Sequence, residues 1–137
     1  MITRYRAWDK KTETIQEIES ISFKEKKLVI DQKSVAWFNS DYIRNFDEVE
    51  IMQSTGLKDK NGVEIFEGDI VLVNVSNGFD YLVNEKTVVQ ESEFHYGLVC
   101  KSLISGMEYR VFKHKKMDYE YEVIGNIYEN SELLEEQ

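Results

Sequence analysis

Residues 61–75 read NGVEIFEGDIVLVNV, and this stretch decides the fold class. It opens with Asn-Gly, the strongest short-range signal for a β-hairpin, because both residues tolerate a positive φ. Gly68 marks a bend, at which Asp69 is expected to accept hydrogen bonds from nearby backbone amides. From Ile70 to Val75 the side chains are almost continuously apolar, which is typical of a buried strand. The stretch therefore predicts a hairpin followed by a central β-strand.

Alternation of apolar and polar residues extends this prediction along the chain. Residues 48–52, 94–100 and 118–123 each alternate with period two. The chain also contains 13 Val, 12 Ile and 8 Tyr against only 2 Ala, a composition that favours strands over helices. Only residues 131–136 are predicted to be helical, with Ser131 as the N-cap. Several short strands separated by turns indicate a small antiparallel barrel or sandwich.

The alternation also assigns side chains to faces. Cys100 is predicted to be a buried, small hydrophobic residue on the apolar face of its strand. In the last alternating segment, carboxylates take the face that meets solvent or a neighbouring subunit. The predicted inward residues are Phe94, Tyr96, Leu98, Cys100, Tyr119, Tyr121 and Val123, and the outward acids are Asp118, Glu120 and Glu122.

Charge and motif content exclude several functional classes. The 137-residue chain has a net charge of −9, so as a whole it is repelled by nucleic acid and anionic lipid. It has one cysteine, two histidines without a spaced partner, and no apolar run of the ~18 residues that a membrane span needs. No nucleophile, phosphate loop or metal cluster is recognisable. We therefore expect a non-enzymatic cytoplasmic protein with no catalytic residue, metal or cofactor and no membrane contact.

The charge also divides the chain. Residues 1–47 hold 9 basic and 8 acidic side chains, a net of +1, whereas residues 48–137 hold 8 and 18, a net of −10. This shift predicts a boundary between an N-terminal β-subdomain, residues 1–47, and a β-domain, residues 48–137.

Basic and aromatic residues are mixed in the N-terminal part, and they are the candidate binding residues. On a strand, Arg4, Arg6 and Trp8 would share one face. Three interpretations stay open: a seam between subdomains with the arginines paired to acids, a self-association surface, or aromatic stacking on single-stranded nucleic acid. The candidates are Arg4, Arg6, Trp8, Trp37 and Arg44.

Three segments resemble one known family. Residues 51–71, IMQSTGLKDKNGVEIFEGDIV, closely resemble the central signature of the YopX family, small proteins found mainly in phages and prophages of low-GC bacteria. Residues 4–9, RYRAWD, and 121–130, YEVIGNIYEN, resemble its opening and closing strands. The resemblance implies a mainly β protein, with an SH3-like antiparallel barrel after an added N-terminal β-subdomain, and homo-oligomeric assembly. It implies no biochemical activity.

Two functional hypotheses follow. The first is a non-enzymatic phage accessory protein that acts by self-assembly and by binding a host or phage protein. In such a homo-oligomer, the near-neutral N-terminal segment of one subunit would meet the acidic half of another. The alternative is single-stranded nucleic-acid binding through the N-terminal basic-aromatic face, which the overall acidity disfavours.

Overall fold

The described residues are almost entirely β-structure. The structure is a computed structural model that describes residues 4–30, 43–76, 81–94, 96–109 and 119–134. They form eleven strands and two short 3-10 helices, at Phe46–Glu48 and Ser131–Leu134. The strands are β1 Tyr5–Asp9, β2 Thr14–Ser22, β3 Lys27–Ile30, β4 Ile43–Asn45, β5 Val49–Lys58, β6 Glu64–Phe66, β7 Asp69–Ser76, β8 Tyr81–Glu91, β9 Leu98–Ser102, β10 Glu108–Tyr109 and β11 Glu120–Asn126.

The first of two compact units, Met1–Gln53, contains β1 to β4 and the first half of β5, paired antiparallel in the order β4-β3-β2-β1-β5. Its alternate residues are buried on one face, as period two requires. Ala7, Leu28, Ile30 and Val49 form this core, with Ile51 packed against it. The predicted alternation at residues 48–52 is thereby confirmed, since Val49 is buried and Glu50 is exposed.

The second unit, Ser54–Gln137, contains the second half of β5, which pairs with β6, and a five-stranded antiparallel sheet in the order β10-β9-β8-β7-β11. The valine-rich strand β7 is paired on both sides, so the predicted central strand is confirmed. Three of its valines belong to the core. The buried cluster contains Ile65, Val71, Val73, Val75, Val89, Cys100, Tyr119 and Tyr121.

The structure corrects two details of the predicted architecture. The described strands of the second unit form an open sheet whose outermost members, β10 and β11, each pair with one strand, and they do not close into the predicted SH3-like barrel. The described part of the predicted C-terminal helix, Ser131–Leu134, is one turn of 3-10 helix, in which the Leu133 amide donates to the Asn130 carbonyl oxygen at 3.0 Å; residues 135 and 136 lie outside the described residues. Such i→i+3 bonding is common where a segment is too short for α-helix.

The predicted hairpin is present, but its turn begins two residues earlier than the Asn-Gly pair. The amide of Gly62 donates to the Asp59 carbonyl oxygen at 3.0 Å, which makes residues 59–62 the β-turn. Gly62 adopts a φ of +83°, whereas Asn61 is not in the left-handed region. The arrangement is a turn followed by one left-handed residue, not a two-residue turn with both residues left-handed. Ile65 and Phe66 lie on the second strand, as predicted.

Candidate binding surfaces

Of the N-terminal candidates, Arg6 and Trp8 lie on one face of the first sheet, and Arg4 directly precedes β1. Ala7 and Asp9 point to the opposite, buried face, and Arg6 and Trp8 are half-buried. Arg4 is exposed and forms an ion pair with Glu17 at 3.8 Å. Because β1 is paired on both sides, these side chains lie in the middle of a sheet face and not at its edge.

Acidic residues of the neighbouring strands lie beside this row. Arg6 is directly opposite Glu17 on β2, and Trp8 is opposite Glu50 on β5. Directly opposed residues of antiparallel strands have neighbouring side chains. The face that the sequence predicted to be basic and aromatic is therefore of mixed charge.

Arg44 is placed in the interior rather than on this surface. Its side chain is 2% exposed, and its guanidinium Nε donates to both carboxylate oxygens of Asp9 at 3.1 Å. The ion pair connects β4 to the end of β1, 35 residues earlier in the chain. The guanidinium group of Arg44 is therefore paired with the buried Asp9 carboxylate. Only the tertiary structure shows this pairing. Trp37 lies outside the described residues.

Buried carboxylates organise the backbone in both units. Burial raises the pKa of Asp9, but hydrogen bonds from Arg44, the Lys11 amide and the Thr12 hydroxyl outweigh it, so the pKa is lowered overall. Asp59 accepts hydrogen bonds from the amides of Asn61 and Val63 at 2.8 Å and of Val123 at 2.9 Å.

Burial likewise raises the pKa of Asp59, but the hydrogen bonds from the backbone amides of Val123, Val63 and Asn61 outweigh this effect, so the pKa is lowered overall. Asp69 accepts a bond from the Phe66 amide at 2.7 Å, as predicted. Asp9 and Asp59 are structural residues that the sequence did not single out, although an Asp two residues before a turn amide is a recognisable signal.

The last strand has the predicted faces. Tyr119 and Tyr121 are buried and Val123 packs against the core, whereas the side chains of Glu120 and Glu122 are exposed or half-exposed. Lys60 lies 3.9 Å from the Glu120 carboxylate and 3.6 Å from that of Glu122. The prediction is confirmed for these residues. Asp118 lies outside the described part of the chain.

Cys100 is fully enclosed in the core of the second unit, as predicted. Burial raises the pKa of its thiol to about 12, so the reactive thiolate is scarce at neutral pH. Burial also raises the pKa of Tyr121, its neighbour in the core. These groups serve packing.

Two exposed loops flank β9, and the sequence did not predict them as a surface. Residues 92–97 connect β8 to β9, and residues 103–107 connect β9 to β10. The prediction of a strand from Phe94 was wrong, because β9 begins only at Leu98. Apolar alternation looks alike in a strand and in such a loop. The exposed side chains are Phe94 at 76%, Tyr96 at 100%, Ile104 at 74% and Met107 at 59%.

Two further observations concern ligands and membranes. Across the residues that the structure describes, no three His, Cys, Asp or Glu side chains are grouped so as to hold a metal ion. His95 and His114 fall outside this set. The same residues contain no helix long and apolar enough to cross a membrane.

The fold and its surfaces define a small all-β protein of two antiparallel sheets. The family model described as YopX protein matches residues 4–135, and the chain belongs to the YopX family. The chain is also similar to a solved structure, that of protein EF1440 from Enterococcus faecalis, with 27% sequence identity and a TM-score of 0.63. The similarity covers 98% of this chain and 99% of the other. A comparison with curated proteins finds no match.

Proposed function

We propose that this protein is a non-enzymatic phage or prophage accessory protein, working in the bacterial cytoplasm, that acts by self-assembly and by binding a host or phage protein. The observation that carries the proposal is the pair of Arg6 and Trp8, both half-buried on one sheet face, with the exposed Arg4 directly before the strand. Arginine and tryptophan are both enriched at the energetic centres of protein interfaces.

Charge supports assembly between unlike surfaces. Residues 48–137 carry a net charge of −10, and Glu120 and Glu122 of β11 are at least partly exposed. Arg4 pairs with Glu17, and Lys60 lies near both glutamates, so assembly would exchange these partly exposed pairs within one subunit for pairs between arginines of one subunit and glutamates of another. The buried thiol of Cys100 and the structural carboxylates of Asp9 and Asp59 support a non-enzymatic role, since these groups already serve packing and backbone bonding.

Light scattering after size-exclusion chromatography tests self-assembly. We expect a mass that is a multiple of 16.2 kDa at micromolar concentration, lower at high salt because exposed charges are screened. Arg6→Glu and Trp8→Ala should reduce it. Lys24→Glu, the same charge reversal in an exposed turn, is the matched control and should not. A mass of 16.2 kDa for the wild type at low and high salt would contradict the proposal.

The nucleic-acid alternative rests on the same residues, since Arg4 and Arg6 precede Trp8 at alternate positions. Titration of a labelled single-stranded oligonucleotide at several salt concentrations separates the two functions. Binding that weakens steeply with salt and is lost in Trp8→Ala would favour the alternative.

A further inference from the structure

The two loops beside β9 place four large apolar side chains in solvent, and hydrogen bonds fix their backbones. We call residues 92–94, 96, 97 and 103–107 the loop pair. In the first loop, the Ser92 amide donates to the Gly97 carbonyl oxygen at 3.0 Å. In the second, the Ser102 hydroxyl oxygen accepts the amides of Ile104 at 3.2 Å and Ser105 at 3.1 Å.

Glu108, the first residue of β10, links the end of the second loop to the start of the first. It directly follows Met107 in the chain, and its carboxylate accepts bonds from the Ser92 hydroxyl at 2.6 Å and the Glu93 amide at 2.9 Å. Phe94 directly follows Glu93, and Met107 directly precedes Glu108, so each apolar residue is adjacent in sequence to one of the hydrogen-bonded residues. A surface already held in one conformation loses less entropy on binding than a flexible one.

Among the described residues around the loop pair, the charges are mainly negative. Glu91 and Glu93 are exposed and Glu108 is half-buried, whereas the Lys101 ammonium lies 3.3 Å from the Glu93 carboxylate. We infer that the loop pair is a docking surface for an apolar, basic segment of another protein. Phe94 and Tyr96 would be the anchors, and the exposed carboxylates of Glu91 and Glu93 would meet the basic residues. This inference deepens the protein-binding part of the proposed function and does not depend on self-assembly.

The same charges argue against other occupants. Anionic lipid and nucleic acid bring phosphates, which the carboxylates repel. A second copy that used the same surface would oppose glutamates to glutamates. A basic peptide segment both covers the apolar side chains and pairs with the carboxylates.

Selection from a phage-displayed library of random 16-residue peptides tests the inference. We expect enriched peptides to combine aromatic or aliphatic residues with net positive charge. Synthetic, fluorescein-labelled versions are then titrated with the protein by fluorescence anisotropy. Phe94→Ala and Tyr96→Ala should each weaken binding at least tenfold. Tyr81→Ala, which removes an exposed tyrosine at the other end of β8, is the matched control and should change it less than twofold.

Several results would overturn the inference: no enriched peptide, enriched peptides without basic residues, or binding unchanged in both loop variants. A loss of oligomer mass in Tyr96→Ala would identify a second copy as the occupant. Binding of wild type to phosphatidylglycerol vesicles, lost in that variant, would identify a lipid surface.

Circular dichroism verifies that each variant folds, and Tyr96→Ala becomes the decisive variant if Phe94→Ala does not fold. Self-assembly through Arg6 and Trp8 is measured separately, so the failure of either claim leaves the other testable.

Discussion

Gly62 shows how a single residue determines the hairpin that begins the second unit. Its φ is +83°, and a Cβ built there would meet no atom within 4 Å. The cost of a side chain at this position is therefore conformational and not steric. We expect Gly62→Ala to lower the free energy of unfolding by about 1–2 kcal/mol and Gly62→Asn by less, since Asn tolerates the left-handed region. Urea denaturation measures both, and equal losses in the two variants would contradict this account.

The lowered pKa values of Asp9 and Asp59 have a consequence for acid stability. A carboxyl whose pKa is lower in the folded state stabilises the fold above its unfolded pKa, near 3.8, and this stabilisation is lost as pH falls through the folded pKa. We expect the free energy of unfolding to decrease as pH is lowered from 5 through this range.

Asp59→Asn is the control for this acid sensitivity, because an amide does not titrate. The variant should be less stable than wild type at pH 7, and the difference should shrink as the pH falls below 4. Urea unfolding curves at a series of pH values measure this. A difference that stays constant with pH would show that the charge of Asp59 does not stabilise the fold.

At the scale of elements, the ion pair of Asp9 and Arg44 attaches the outermost strand β4 to the end of β1. Removing one member leaves an uncompensated buried charge, which costs about 3–5 kcal/mol. We expect Arg44→Ala to destabilise by this amount and the double variant Asp9→Leu/Arg44→Met to lose far less. Chemical denaturation of the two variants compares them. If the double variant is as unstable as Arg44→Ala, the pair contributes more than charge compensation.

The strands and loops also show which parts of the fold could be predicted from sequence patterns. Strand β7 and the faces of β11 could be predicted, because period-two alternation is a local property of the chain. The burial of Arg44 could not, because its partner lies 35 residues away. The loop at residues 92–97 was missed because its apolar alternation imitates a strand. What distinguishes it is the bonding of Glu108 to Ser92 and Glu93, which joins residues distant in sequence.

At the scale of the whole molecule, the two units present different surfaces. The first has a mixed-charge face around Arg6 and Trp8, and the second has the apolar loop pair. We expect Arg6→Glu to lower the oligomer mass without changing the affinity for a selected peptide, and Tyr96→Ala to do the reverse. Light scattering and anisotropy on the same preparations test this. Loss of both properties in either variant would mean that one surface serves both.

Because Cys100 is fully buried, the rate at which a thiol reagent labels it measures unfolding of the protein. It is the only cysteine, it has no exposed surface, and its thiol has a pKa of about 12. A thiol reagent such as dithionitrobenzoate can react only when the second unit opens, so the labelling rate reports the population of the open state without any engineered probe. We expect labelling to be slow in buffer and to accelerate with urea in proportion to global unfolding. Rapid labelling in buffer would instead reveal a local opening of β9 that leaves the rest of the sheet intact.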